Sequence, residues 1–259
     1  MLIPPGQLRT IFFVRPNGVL HVGAHSGQEF DGYHANEFGR VLWVEAQESL
    51  IPDLVNKVCG VGDRVFNAVV WSESGVELDF KIANNSQSSS LFEFQDHKDF
   101  HPEVSFVSHE LVRTVRLDDL IPENEPFNMV NLDIQGAELE ALEGLGARLD
   151  HVFWVYCEVN RTQLYAGIAL VGEIDDFLQS AGFFRVVTVW KSANWGDALY
   201  VRRRGPLRDW ALSMIGNFYQ FSRLNRVLYL GRIGKWLLKR ALDRLYVALR
   251  RRAVLRKSR

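Results

Sequence analysis

The segment Val19–Gly27 reads VLHVGAHSG, an apolar run that stops at two glycines four residues apart. An apolar run of this length suits a strand buried on both faces of a parallel sheet. The glycines let the chain turn sharply and let a ligand approach the backbone. The same form recurs at Val41–Glu45 (VLWVE), Val65–Val70 (VFNAVV), Phe127–Asp133 (FNMVNLD) and Val152–Glu158 (VFWVYCE). Helical patterns lie between them. Ala137–Leu145 places Leu139 and Leu142 on one face, and Gly172–Ala181 stops at Gly182. Phe184–Trp190 and Asp197–Arg202 read as an antiparallel finish. Val76–Ala83 and Val112–Leu117 read as a β-rich insertion. The alternation predicts an α/β fold with a mostly parallel, doubly wound sheet.

A length of 259 residues with 47% hydrophobic and 24% charged residues fits one domain or two small ones with a real core. That excludes a disordered or fibrous chain. Two cysteines, Cys59 and Cys157, are too few for a disulfide framework or a zinc cluster. Met1–Gly6 lacks a basic segment followed by an apolar run, so no signal peptide is expected and the compartment is read as cytoplasmic. Residues 202–259 hold 17 of the 30 Lys/Arg and 2 of the 31 Asp/Glu, a net +15. The first 201 residues keep 13 basic and 29 acidic residues, a net −16. The overall charge of −1 therefore conceals an acidic body, residues 1–205, and a basic tail, residues 206–259.

Ligands of such sheets bind at the carboxyl ends of the strands. The first strand ends in Gly23-Ala24-His25-Ser26-Gly27, and the second ends in Glu45, 18 residues after Gly27. An acid there can accept both hydroxyls of a ribose, although a tight turn with a solvated Glu has the same spacing. A dinucleotide fingerprint requires Gly-x-Gly-x-x-Gly to seat a pyrophosphate. Here His25 stands at the middle position, and no Tyr-x-x-x-Lys pair is present for hydride chemistry. S-adenosylmethionine carries no pyrophosphate and tolerates the looser turn. The pattern thus favours methyl transfer over a nicotinamide-dependent oxidoreductase. A non-catalytic adaptor at a membrane surface is a third reading.

Six segments in order, VLHVGAHSGQE (Val19–Glu29), VLWVEA (Val41–Ala46), NAVVWSESG (Asn67–Gly75), SSSLFEF (Ser88–Phe94), VRLDDL (Val115–Leu120) and NLDIQGAELEALEGLG (Asn131–Gly146), resemble the FkbM-type S-adenosylmethionine-dependent methyltransferases. The resemblance implies a Rossmann-like class I methyltransferase fold over about residues 17–203. It also implies O-methylation of a sugar or natural-product hydroxyl, here read as a glycan or glycolipid acceptor. Carried over, Gly23, Ala24 and Gly27 would line the methionine and ribose of the cofactor. Glu45 would take the ribose hydroxyls, Ala68 would lie near the adenine, and Asp133 would face the transferring methyl. Three positions depart from the family pattern. His21 replaces an acidic residue, His25 an Asn, and Gln135 a Glu. His21 and His25 flank the turn and join the expected cofactor-binding set.

A sugar hydroxyl is a weak nucleophile, so a base or a metal is expected. Asp133 and Glu158 end the fourth and fifth strands and converge on one rim in this fold, with Asn160 two residues on. Together they could hold Mg²⁺. Equally, Asp133 could contact the cofactor while Glu158 orders a loop. Glu138 is read as a first-turn carboxylate favoured by the helix dipole. His97, His101 and His109 fall in the insertion, and His109 is the candidate general base among them.

In the tail, Pro206 suits a helix start. From Leu224 to Leu249 apolar residues gather on one helical side, with Arg226, Lys235, Arg240 and Arg251 largely on the other. Such a helix suits an anionic membrane surface, which would place the protein peripherally on the inner face. Docking on the body or in a homodimer would bury the same stripe. Nucleic acid is less expected as a partner, because a body at −16 would repel phosphate.

Overall fold

The computed structural model describes residues 1–222. Among the described residues ten strands form two sheets: β1 (Gly18–Val22), β2 (Arg40–Glu45), β3 (Arg64–Asn67), β4 (Val69–Val70), β5 (Glu77–Ala83), β6 (Phe106–Val115), β7 (Met129–Leu132), β8 (Trp154–Asn160), β9 (Phe183–Trp190) and β10 (Trp195–Arg202). The helices are α1 (Pro5–Ile11), α2 (Phe30–Ala35), α3 (Ile51–Val58), α4 (His97–Phe100), α5 (Leu117–Leu120), α6 (Glu138–Glu143) and α7 (Val171–Ser180). A further helix runs from residue 206 to residue 222.

The main sheet has the order β3-β2-β1-β7-β8-β10-β9. Strands β1, β2, β3, β7 and β8 are parallel, and β10 is antiparallel to both β8 and β9. The chain winds outward from β1 on one side and from β7 on the other, which is the class I methyltransferase strand order. The switch in direction lies between β1 and β7, where such sheets open a crevice.

Alternation along the strands sorts the two faces. Leu20, Val22, Leu42, Val44, Val130, Leu132, Val155 and Cys157 face one way, into the core beneath α6 and α7. His21, Trp43, Asn131 and Tyr156 face the other, in lateral register across β1, β2, β7 and β8. That row is buried and partly polar. Tyr33 of α2 covers it, stacking edge-on to His21 and accepting the Asn131 amide N–H at 2.9 Å.

The run Val65–Val70 does not stay one strand. Ala68 donates to the Glu45 carbonyl, and the next two residues pair with Thr114 and Val115 of β6. The chain thus leaves the main sheet for a three-stranded one, β4-β6-β5, which is the expected insertion. Leu117, placed at a strand end from the sequence, begins α5 instead.

One compact unit spans Met1–Gly216, past the division drawn at residue 205 from charge; a second spans Asn217–Arg259. Within the first, Leu212 is buried and the final helix covers the edge strand β9. Covering an edge removes its unpaired backbone from other chains. Among the described residues no helix is long and apolar enough to cross a membrane. The amphipathic pattern from Leu224 to Leu249 lies outside the described residues.

Candidate active site

The carboxyl ends of β1, β2 and β7 open on a cleft lined by Val22, Gly23, His25, Val44, Glu45, Gln47, Ala68, Phe80, Ser86, Asp133 and Gln135, among others.

The turn after β1 explains its glycine. Gly23 has φ 83, and a Cβ there would stand 1.9 Å from the Asp133 carbonyl oxygen. The turns after β1 and β7 therefore touch backbone to backbone. His25 follows with φ 46, a conformation that a non-glycine residue holds only when its surroundings enforce it. The enforcing contact is Glu45, whose Oε2 accepts the His25 N–H at 2.7 Å. The other carboxylate oxygen accepts the Gln47 N–H at 2.8 Å. Each oxygen keeps an unused lone pair, so the buried carboxylate can still take two hydroxyls from the cleft. Val44, Ala68, Val69, Val70, Phe80 and Leu91 supply flat apolar wall beside it.

The polar loop Asn84–Ser90 closes over this cleft. Ser86 Oγ lies 2.8 Å from His25 Nε2, Gln47 Nε2 donates to the Ser86 carbonyl at 2.8 Å, and Ser89 Oγ donates to Gln47 Oε1 at 3.3 Å. The insertion is thereby latched to the turns after β1 and β2. Gln47 and the serines are site residues that the sequence reading missed, because contacts across 42 or 61 positions leave no local pattern.

A second group lies after β7. Gln135 has φ 55. Its Nε2 donates to Asp133 Oδ1 at 2.9 Å and to Glu158 Oε2 at 3.4 Å, and its Oε1 accepts the Tyr165 hydroxyl at 2.7 Å. Glu138 holds this loop from below. Its carboxylate accepts the Ile134 N–H at 2.9 Å and the Gly136 N–H at 3.1 Å. Burial pushes Glu138 up to about 7. It also pushes Glu158 well above the usual carboxylate range, with the Asp133 charge adding to the effect. Asp133 opens into the cleft, yet the protein around it and the Asp197 carboxylate raise it to about 6. The site therefore contains carboxyls poised to hold a proton near neutral pH.

The expected metal set does not assemble. Asp133, Glu158 and Asn160 share the rim, but the Gln135 amide nitrogen stands between the two carboxylates, where a cation would sit. Asn160 turns its amide nitrogen, 3.5 Å away, toward Glu158, while its Oδ1 is buried without a partner. Among the described residues no cluster of three or more His, Cys, Asp and Glu could hold a metal ion.

Several expected residues lie elsewhere. His21 points into the polar row on the opposite face, tilted against Trp43, and burial lowers it to about 4, so it is a neutral core residue hydrogen-bonded to the Gly23 backbone. Ala24 and Gly27 shape the turn without lining the cleft; a Cβ on Gly27 would press on Leu54. His109 lies on β6 in the second sheet, exposed and paired with Asp79 at 2.9 Å. A base must reach the proton it takes, so His109 is set aside in favour of the rim carboxyls.

Residues 21–184 match the model of the methyltransferase FkbM domain. The chain belongs to the FkbM methyltransferase family. Membership implies S-adenosylmethionine as cofactor, and the cleft fits it: a carboxylate with free lone pairs at the end of β2 and an apolar wall next to it. The 2-O-methyltransferase NoeI of Sinorhizobium fredii is 28% identical over 145 residues, 52% of this FkbM chain. The match spans 58% of that relative's length. Two solved structures resemble the fold at low scores. They are magnesium protoporphyrin IX methyltransferase from Synechocystis PCC 6803 with bound S-adenosylmethionine (12% identity, TM-score 0.40, 71% of this chain and 69% of that one) and an S-adenosylmethionine-dependent methyltransferase from Aquifex aeolicus (14%, 0.42, 78% and 91%).

Proposed function

We propose that the protein is an S-adenosylmethionine-dependent O-methyltransferase whose acceptor is a sugar hydroxyl of a glycan or glycolipid. The observation that carries this reading is the adjacency of two unlike groups in one crevice. Glu45 and the apolar wall line it together with Asp133 and Gln135, and Gln135 reaches behind the lining to the buried Glu158. The FkbM relative NoeI is a 2-O-methyltransferase, which supports oxygen as the nucleophile.

The cofactor supplies an electrophilic methyl group when bound. Glu45 Oε1 and Oε2 would accept the ribose hydroxyls, and the walls around Ala68 would hold the adenine. The latched Asn84–Ser90 loop would exclude water from the crevice. Gln135, fixed by Tyr165, would hold the Asp133 and Glu158 carboxylates apart. Asp133 Oδ2, which Gln135 leaves unengaged, would take the proton from the acceptor hydroxyl. Positioning and base catalysis together account for the chemistry without a metal.

The test is transfer of label from methyl-labelled S-adenosylmethionine to a pool of glycans and lipid-linked oligosaccharides. The expected product is a methyl ether that survives mild alkali and is lost in Asp133→Asn. Label entering protein or an alkali-labile ester would displace the sugar hydroxyl as acceptor.

A further inference from the structure

The helix over residues 206–222 has two unlike sides. Leu212 is buried, and a Cβ on Gly216 would stand 2.0 Å from the Val186 carbonyl oxygen. Leu207, Trp210 and Met214 instead face solvent, 84%, 65% and 52% exposed. Their spacing of three and four residues sets them on one side of the helix. Phe218 and Phe221, in the second compact unit, are themselves 73% and 61% exposed. Amphipathic helices normally turn such a stripe into a core. Leu207, Trp210 and Met214 form an exposed apolar patch of the kind that marks an interaction surface.

We propose that this stripe seats the protein on an anionic lipid surface. Charge decides among occupants. Residues 202–259 carry a net +15 beside a body at −16. A second copy on the same stripe would bring two such tails together, like charge against like. The chain's own later residues, folded back, would add cations next to Arg203, Arg204 and Arg208. An anionic bilayer surface accepts both features: the Trp, Phe, Leu and Met side chains enter the acyl boundary and the Lys/Arg meet the headgroups. Among the described residues no helix is long and apolar enough to cross a membrane. This placement is independent of the chemistry at the cleft.

The experiment is flotation of the full chain with vesicles of phosphatidylcholine containing phosphatidylglycerol, and with phosphatidylcholine alone. Leu207→Glu, Trp210→Glu and Phe218→Glu are compared with the parent, with S-adenosylmethionine binding and melting temperature recorded for each. The parent should bind the anionic vesicles at least about tenfold more tightly than the neutral ones, and less at high salt. Each substitution should weaken that binding about tenfold and leave the melting temperature unchanged. A parent that ignores anionic vesicles, or variants that bind as the parent does, would overturn the proposal. Variants that turn a dimer into a monomer in the absence of vesicle binding would assign the stripe to a second copy. Variants that lose thermal stability without vesicle binding would assign it to the chain's own tail. Either result removes the lipid surface.

Discussion

Glu45 Oε2 accepts the backbone N–H of His25 at 2.7 Å, which ties the end of the second strand to the glycine turn of the first. The same carboxylate faces the cleft, so in the proposed function one side chain shapes the turn and would accept the ribose hydroxyls. Glu45→Ala removes both roles. Hydrogen bonds to a charged group are worth about 1.5–3 kcal/mol. The expected loss of S-adenosylmethionine affinity is therefore roughly 10- to 150-fold at 1.4 kcal/mol per decade. The two orphaned N–H groups should also lower stability by about 1–3 kcal/mol. Calorimetry and denaturant unfolding of the variant check the two effects separately.

The rim carboxyls make a kinetic prediction. Asp133→Asn keeps the Gln135 contact available and removes the charge, so the fold and the cofactor affinity should persist. Turnover should fall about 10²–10⁴-fold, the usual contribution of a positioned base. Gln135→Leu should reduce kcat with little change in cofactor affinity, because it frees the two carboxylates from their spacer. Because the Gln135 amide fills the space between them, turnover of the parent should be unchanged in EDTA. Steady-state kinetics with and without chelator decide both points.

The raised carboxyls also set a pH dependence. Asp133 titrates near 3.8 when unfolded and at about 6 in the folded chain. The folded state therefore binds the proton more tightly, and the stability this adds is complete below about 3.8 and lost as pH rises through about 6. Glu138, at about 7, extends the same trend upward. Melting temperature should decline across that window, and Asp133→Asn should flatten its lower part. Turnover should move the opposite way, rising through about pH 6 as Asp133 loses its proton. A pH series of both quantities on parent and variant tests the sign.

The latch predicts a change in cofactor exchange. Gln47→Ala removes the amide that donates to the Ser86 carbonyl and accepts from Ser89. The Asn84–Ser90 loop should then be cleaved faster by protease in the absence of cofactor. Release of S-adenosylmethionine should quicken by about tenfold, as expected for the loss of one to two neutral hydrogen bonds. Limited proteolysis and stopped-flow release measure the two effects.

Much of this was legible along the chain. Continuous apolar runs located β1, β2, β7 and β8, and the turn glycines and Glu45 marked their ends as a ligand site. Proximity to Gly23 in sequence suggests the turn for His21, but the two-residue period of a strand sends it to the face opposite Val22, against Trp43 and Asn131. His109 was attractive for its chemistry alone, and only the pairing of β6 with β5 shows it directed at Asp79. Gln135 was noted as a departure from the family pattern, but its bridge to Glu158 depends on the β7–β8 register and on a left-handed backbone at one residue. Contacts of that kind come from tertiary placement and carry no spacing signal.

The account stands most directly on the cofactor. Calorimetric titration of the full chain with S-adenosylmethionine, its demethylated product and NAD decides it. One site should be filled by S-adenosylmethionine and competitively by the demethylated product, with no heat from NAD. A folded chain that gives no heat with S-adenosylmethionine, or that binds NAD in its place, would contradict the methyltransferase reading of this cleft.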